Sequence, residues 1–191
     1  MRTSRKQVLH HGEKVVAVLP IVQYPAEILA KSSENVTVFD ENLRRLAADM
    51  AETMYAAPGI GLAAPQVGKS IRLVVIDISD EKSHLMALVN PTVTALTDSL
   101  VEGEEGCLSL PDLTEKIKRP SKVHVDAFDL QGNPISMDCE GLLAVCVQHE
   151  VDHLNGHVFI DHLSLLKKNR AIEKLAKLRR EKAREKKHHA S

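Results

Sequence analysis

The chain predicts an α+β fold, with mainly antiparallel strands packed around a central helix, one helix before the strands and a basic helix after them. Three observations carry this. Apolar residues recur at three- and four-residue intervals in residues 40–56, 141–155 and again after Ser164. Four runs of β-branched or alternating residues lie between the first two of these segments. A turn cluster, Gln131-Gly132-Asn133-Pro134, separates two of those runs as a hairpin loop would.

Residues 1–17 show no period and are expected to form a flexible N-terminal extension. From Asp40 to Ala56, the spacing of Leu43, Leu46, Ala47, Met50 and Met54 marks an amphipathic helix with one buried stripe. Pro58-Gly59-Ile60-Gly61 ends it and opens a loop. Ile71 to Ile78 is a β-branched run. Leu85 to Leu96 contains Asn90-Pro91, which predicts a break or a sheet edge inside it. Lys122 to Leu130 alternates, with Val123, Val125 and Ala127 on one face, and Ile135 to Cys139 returns beyond the turn. Gly141 to Asn155 is the central helix, with Gly156 placed to end it. Ser164 is a candidate cap for the last helix, whose apolar stripe fades after Leu178, so fraying or projection is expected beyond that point.

The 191 residues support one domain with a core, here expected over residues 18–166, with 167–191 as a basic tail. No apolar run approaches the roughly 20 residues of a membrane span, and the longest near the start, Val15 to Val22, is broken by Pro20. A basic flank precedes it without a small-residue cleavage pattern, so no signal peptide is expected. Three cysteines, Cys107, Cys139 and Cys146, are too few for a disulfide framework and suggest a reducing, cytoplasmic setting. Tryptophan is absent and aromatics are 3%, which argues against a base-stacking platform for single-stranded nucleic acid. Net charge is −1, yet residues 167–187 carry eleven Lys or Arg against three Glu. An acidic partner for that arm, and a solvated helix whose cations suit its own dipole, both fit this asymmetry.

The densest chemistry is Gln148-His149-Glu150-Val151-Asp152-His153. Two histidines four residues apart on a helix lie about 40° apart around the axis and about 6 Å along it, so both rings can reach one metal ion. Glu150 sits where a carboxylate can hold a water and take its proton. The central helix is therefore expected to bind metal. The third ligand is open. Phe159 stands where one class of His-x-x-x-His enzyme carries a third histidine, and cannot bind metal. Glu173 stands near where another carries a carboxylate, but within a Lys/Arg-rich stretch that offers it salt bridges. Cys146 shares the helix face, but its rise of about 10 Å to His153 suits a cavity wall or core thiol better. Cys107, between Gly106 and Pro111 at a loop or strand end, would complete a three-ligand site with an open fourth position, though a structural thiol is the alternative.

Three segments in order and spacing resemble the signature motifs of the peptide deformylase family: Gly59-Ile60-Gly61-Leu62-Ala63-Ala64-Pro65-Gln66-Val67-Gly68, then Glu105-Gly106-Cys107-Leu108-Ser109, then His149-Glu150-Val151-Asp152-His153-Leu154. The resemblance runs from about Val18 to Leu166. One departure is Ala30, where the family often has a basic residue after Leu29. The resemblance implies hydrolysis of the N-formyl group of N-formylmethionine at the start of new polypeptides, releasing formate. It implies one divalent ion, natively Fe²⁺ with Zn²⁺ or Ni²⁺ able to substitute, held by Cys107, His149 and His153. Glu150 would then be the acid/base, and Gln66 with the Leu108 backbone N–H would bind the formyl oxygen. The substrate would lie against Gly61 and Gly106, with Ile60, Leu142, Val145 and Cys146 walling the pocket for an unbranched thioether. Glu105 and Arg119 would form a buried pair steadying the cysteine loop. The basic tail is suited to ribosomal RNA phosphates, as a C-terminal helix can be in bacterial relatives.

Overall fold

The computed structural model describes residues 16–189, so most of the expected extension over 1–17 lies outside the described residues. Helix α1 spans Glu41–Ala56 and is capped by Asp40, whose carboxylate accepts from the Leu43 N–H. Strands β1 (Gly61–Ala63), β2 (Leu73–Ile76) and β3 (Met86–Ala95) follow. Then come a long hairpin of β4 (Leu100–Cys107) and β5 (Leu110–Pro120), and a second of β6 (Lys122–Phe128) and β7 (Pro134–Glu140). Helix α2 is Gly141–Leu154 and helix α3 is Leu165–His189. Five strands form one sheet in the order β1-β2-β3-β6-β7, every neighbour antiparallel, and β4 pairs with β5 as a separate two-stranded sheet.

The period of two along β2 decides the layering. Leu73 and Val75 pack with Leu43, Ala47, Met50 and Met54 of α1, while Val74 and Ile76 pack with Ala144, Val147 and Leu154 of α2. A strand covered on both faces reads as an unbroken apolar run, as Leu73-Val74-Val75-Ile76 does. The sheet is thus held between the two helices. A third cluster joins Leu110, Leu113 and Ile117 of β5 to Ala171 and Leu175 of α3.

Asn90-Pro91 does break a ladder, but not at an edge. Strand β3 lies in the middle of the sheet, and its register against β6 shifts between Val89 and Thr92. Asn90 takes a left-handed φ of 52°, and its side-chain amide both accepts from Val36 N–H and donates to Val36 O. The bulge lets a residue without an N–H pass through a central strand. The expected fraying after Leu178 is also corrected: α3 continues to His189, and Lys182 Nζ reaches Asp112 Oδ2 at 2.5 Å. Gly156 ends α2 with φ of 79°, and a Cβ there would come within 2.9 Å of the Ala30 backbone, which packs against that turn.

Beyond β2, Asp77 organises the loop that backs Ile60. Its carboxylate accepts from the Tyr55 hydroxyl at 2.7 Å, the Ser79 hydroxyl and the His84 N–H, and its own N–H donates to Ile60 O. The Ser79 hydroxyl above all, with Tyr55, holds the Asp77 carboxyl down at about 2. Burial and that carboxylate push the Tyr55 phenol up to about 12. A raised phenol favours the folded state fully below its unfolded value near 10, and that contribution is lost as pH rises through about 12. The chain has two tyrosines, so absorbance titration of a Tyr24→Phe variant should show Tyr55 ionising near 12, and Asp77→Asn should lower that midpoint towards about 10.

Candidate metal centre

His149 and His153 project from the same face of α2, their ring centroids 5.1 Å apart. Cys107, at the last position of β4, brings its sulfur to 3.2 Å from His153 Nε2. One donor atom from each of the three lies within 4.8 Å of the others. Among the described residues this is the one cluster of at least three such side chains that can hold a metal ion. Phe159 is buried and stacks on the His149 ring instead, and Glu173 is exposed on α3, outside the cluster. Cys146 is also outside it. Its sulfur lies 3.7 Å from Ile60 O, and burial, with the nearby Glu150 carboxylate, pushes its thiol up, so it remains an uncharged wall residue.

Charge balance favours an ion. Burial opposes a Cys107 thiolate, but the His153 and His149 rings outweigh it and bring the thiol down to about 5. A thiolate between two imidazoles is a soft, borderline donor set for a divalent transition metal, and an ion replaces the proton those groups otherwise share. At the cluster, the buried atoms Glu150 Oε2 and His153 Nδ1 have no hydrogen-bond partner among the described residues. Burial pushes the Glu150 carboxyl up to about 6, against the lowering pull of His149 and His153. That value suits a group that takes and returns a proton near neutral pH.

The surroundings fix each donor. The His149 Nδ1–H faces Glu105 Oε2 at 2.9 Å, which leaves Nε2 for the cluster. Arg119, 3% exposed, forks onto both Glu105 oxygens through Nε and Nη2 and reaches Asp152 Oδ2 through Nη1. Gln66 sits on the 3₁₀ turn Ala64–Val67. Its Oε1 accepts from the Ala63 N–H, which turns its Nε2 towards Cys107 Sγ at 3.5 Å and Ser109 Oγ at 3.3 Å.

A cavity of about 520 Å³ opens beside the cluster. Ile60, Gly61, Gln66 and Glu150 line one part of it, and Gly106 and Leu108 another. Leu142, Val145 and Cys146 of α2 complete the wall, with Leu142 exposed at the mouth. The residues that the three motifs assign to the site therefore lie in this cavity or directly behind it, whereas Glu173 does not. Gly61 is required by space: a Cβ there would collide with the Glu150 carboxylate and come within 2.9 Å of Cys146 Sγ. Gly61→Ala is expected to displace Glu150 and cut kcat/KM about a hundredfold with the metal content of the purified protein unchanged, as steady-state kinetics and metal analysis would show. Asp152 and His162, which extend the Arg119 network, and Ser109, which meets Gln66, were not singled out from the sequence. Asp152 lies within the histidine motif, so its position was the available signal.

The family model described as Polypeptide deformylase matches residues 18–169. The chain is 49% identical over 171 residues to a peptide deformylase of Acinetobacter baumannii (strain SDF), covering 90% of this chain and 97% of that one. It is 48% identical over 168 residues to a peptide deformylase of Pseudomonas aeruginosa, covering 88% and 100%. Among solved structures, it resembles a peptide deformylase from Legionella pneumophila at a TM-score of 0.83 and 47% identity, over 88% of this chain and 99% of that chain. It also resembles a peptide deformylase from Ehrlichia chaffeensis in complex with actinonin, at a TM-score of 0.80 and 40% identity, over 85% and 98%.

Proposed function

Since the chain belongs to the peptide deformylase family, a hydrolase that removes the N-formyl group from nascent peptides in a metal-dependent reaction, we propose the following division of labour among its residues. Cys107, His149 and His153 hold the ion. When bound, a divalent ion supplies Lewis acidity, which acidifies water and polarises a carbonyl oxygen. Glu150 orients the attacking water and takes its proton. As the water oxygen bonds to the formyl carbon, negative charge gathers on the formyl oxygen. The Gln66 amide and the Leu108 N–H donate to that oxygen, each donor worth about 3 kcal/mol in the transition state. The C–N bond then breaks, Glu150 delivers its proton to the amine nitrogen, and formate leaves.

The support is one convergence: a thiolate and two imidazoles next to a buried, partnerless carboxylate oxygen at the side of a single cavity. Gly61 and Gly106 let the peptide approach close to backbone, and Ile60, Leu142, Val145 and Cys146 accept the unbranched methionine side chain. The native ion in this reading is Fe²⁺, with Zn²⁺ or Ni²⁺ able to replace it, since all three accept mixed thiolate and imidazole ligation. The catalytic unit runs over residues 18–166, with 1–17 as an extension and 167–191 as a basic arm. No described helix is long and apolar enough to cross a membrane, and the reading places the enzyme in the cytoplasm. Formate release from formyl-Met-Ala-Ser, under anaerobic Fe²⁺, tests it: turnover is expected, and none from the correctly folded, Fe²⁺-loaded protein would overturn it.

The arm suits the ribosome, from which the substrate emerges. Ala171 and Leu175 are buried, whereas Lys174, Lys177, Arg180 and Arg184 are exposed on α3. Changing those four to Glu spares the packing and is expected to abolish most ribosome co-sedimentation and flatten its salt dependence.

A further inference from the structure

We infer that His162 is a positioning residue for the metal centre, acting on His149 through Asp152, Arg119 and Glu105. The inference rests on the assignment of Cys107, His149 and His153 as ligands. Four contacts form an unbroken path from the surface to a ligand ring. His162, whose side chain is 39% exposed, places Nε2 at 2.7 Å from Asp152 Oδ2. The same Asp152 oxygen accepts from Arg119 Nη1 at 2.9 Å. Arg119 then donates through Nε and Nη2 to the two oxygens of Glu105, and Glu105 Oε2 faces the His149 Nδ1–H.

The chemistry of each link transmits orientation. A guanidinium is planar and its donors are fixed in one fork, so Asp152 on one side and Glu105 on the other cannot turn independently. Arg119 and Glu105 are buried, and their contacts leave neither a free choice of partner. Asp152 is the loose link, because its side chain is 20% exposed and borders a second cavity, of about 260 Å³, behind the metal centre. Water in that cavity can compete for the Asp152 carboxylate. The His162 N–H holds the carboxylate on Arg119 and so fixes the far end of the path.

A second contact converges on the same ring. His162 closes the 3₁₀ turn Phe159–His162, and Phe159, at the start of that turn, stacks on His149 with centroids 6.1 Å apart and planes at 23°. One four-residue turn therefore touches His149 twice, over its face directly and at its Nδ1 through the charged path. An outer partner that fixes ring orientation and tautomer alters metal affinity.

Two variants separate this role from packing. His162→Phe keeps the ring volume and removes the donor, whereas His162→Gln keeps an N–H donor without the ring. Zn²⁺ affinity by chelator competition and the His149 Nδ1–H resonance in the metal-free and Zn²⁺-loaded full chain are the readouts. His162→Phe is expected to weaken Zn²⁺ binding about three- to tenfold, below the effect of a direct partner, and to move the resonance, with His162→Gln restoring both. Unchanged affinity and resonance in His162→Phe, or a loss that His162→Gln fails to restore, would overturn the inference. A wild-type chain that binds no Zn²⁺ would instead bring down the ligand assignment on which it rests.

Discussion

Glu150→Gln is expected to lose about 10²- to 10⁴-fold in kcat while still binding one ion per chain. Glutamine fills the same volume and can still hydrogen-bond a water, but it cannot take a proton at neutral pH. The effect should be large because the carboxyl is 4% exposed and held at about 6, poised between donor and acceptor. Metal content should survive because the three side chains proposed to hold the ion are other residues. The measurement is formate release alongside metal analysis of the same preparation. Equal turnover by the variant and the wild-type protein would end the acid/base role of Glu150. Loss of metal together with activity would move Glu150 into the ligand set.

The second large effect is at the sulfur. Cys107→Ala leaves two imidazoles with no third donor among the described residues close enough to join them. Metal retention through purification and activity are both expected to fall below detection, with a far smaller change in secondary structure by circular dichroism. Glu173→Ala, by contrast, should bind metal and turn over as the wild type does, because Glu173 is exposed on α3 and outside the cluster. The opposite pair of results would make the site a two-histidine, one-carboxylate centre. A purely structural ion is a poor fit for the same cluster: three donors beside an open cavity leave a coordination position for water or substrate, whereas structural zinc is closed by four.

What the sequence displays best is what lies on one helix. The four-residue spacing of His149 and His153 fixes their common face by helix geometry alone, and the hairpin around Gln131 to Pro134 follows from turn chemistry. Cys107 is harder, since its approach to the histidines depends on chain segments more than 40 residues apart: its loop position leaves a structural thiol open, and the three motifs in order point to a ligand. The β4–β5 hairpin escapes the pattern because β4 is exposed at every position from Leu100 to Glu104, so no buried alternation is written into it. Asp152 and His162 escape for another reason. Asp152 meets Arg119 on a distant strand and His162 meets Asp152 from the turn after α2, and a single polar contact of either kind has no period to betray it. Asn90-Pro91 misleads in one respect: the break it signals is absorbed by a bulge and a side-chain clasp on Val36, so the strand stays central.

The three donors are split between two structural units. The sulfur comes from the hairpin that packs on α3, and both imidazoles come from the helix that packs on the five-stranded sheet. Whatever cation they share is therefore a cross-link between layers as well as a reagent. By linkage, cation present at a hundred times its dissociation constant adds about 2.7 kcal/mol to the folded state. Chelation thus withdraws mechanical support at the same moment as chemistry, and thermal melting of stripped and replenished protein would report both in one experiment.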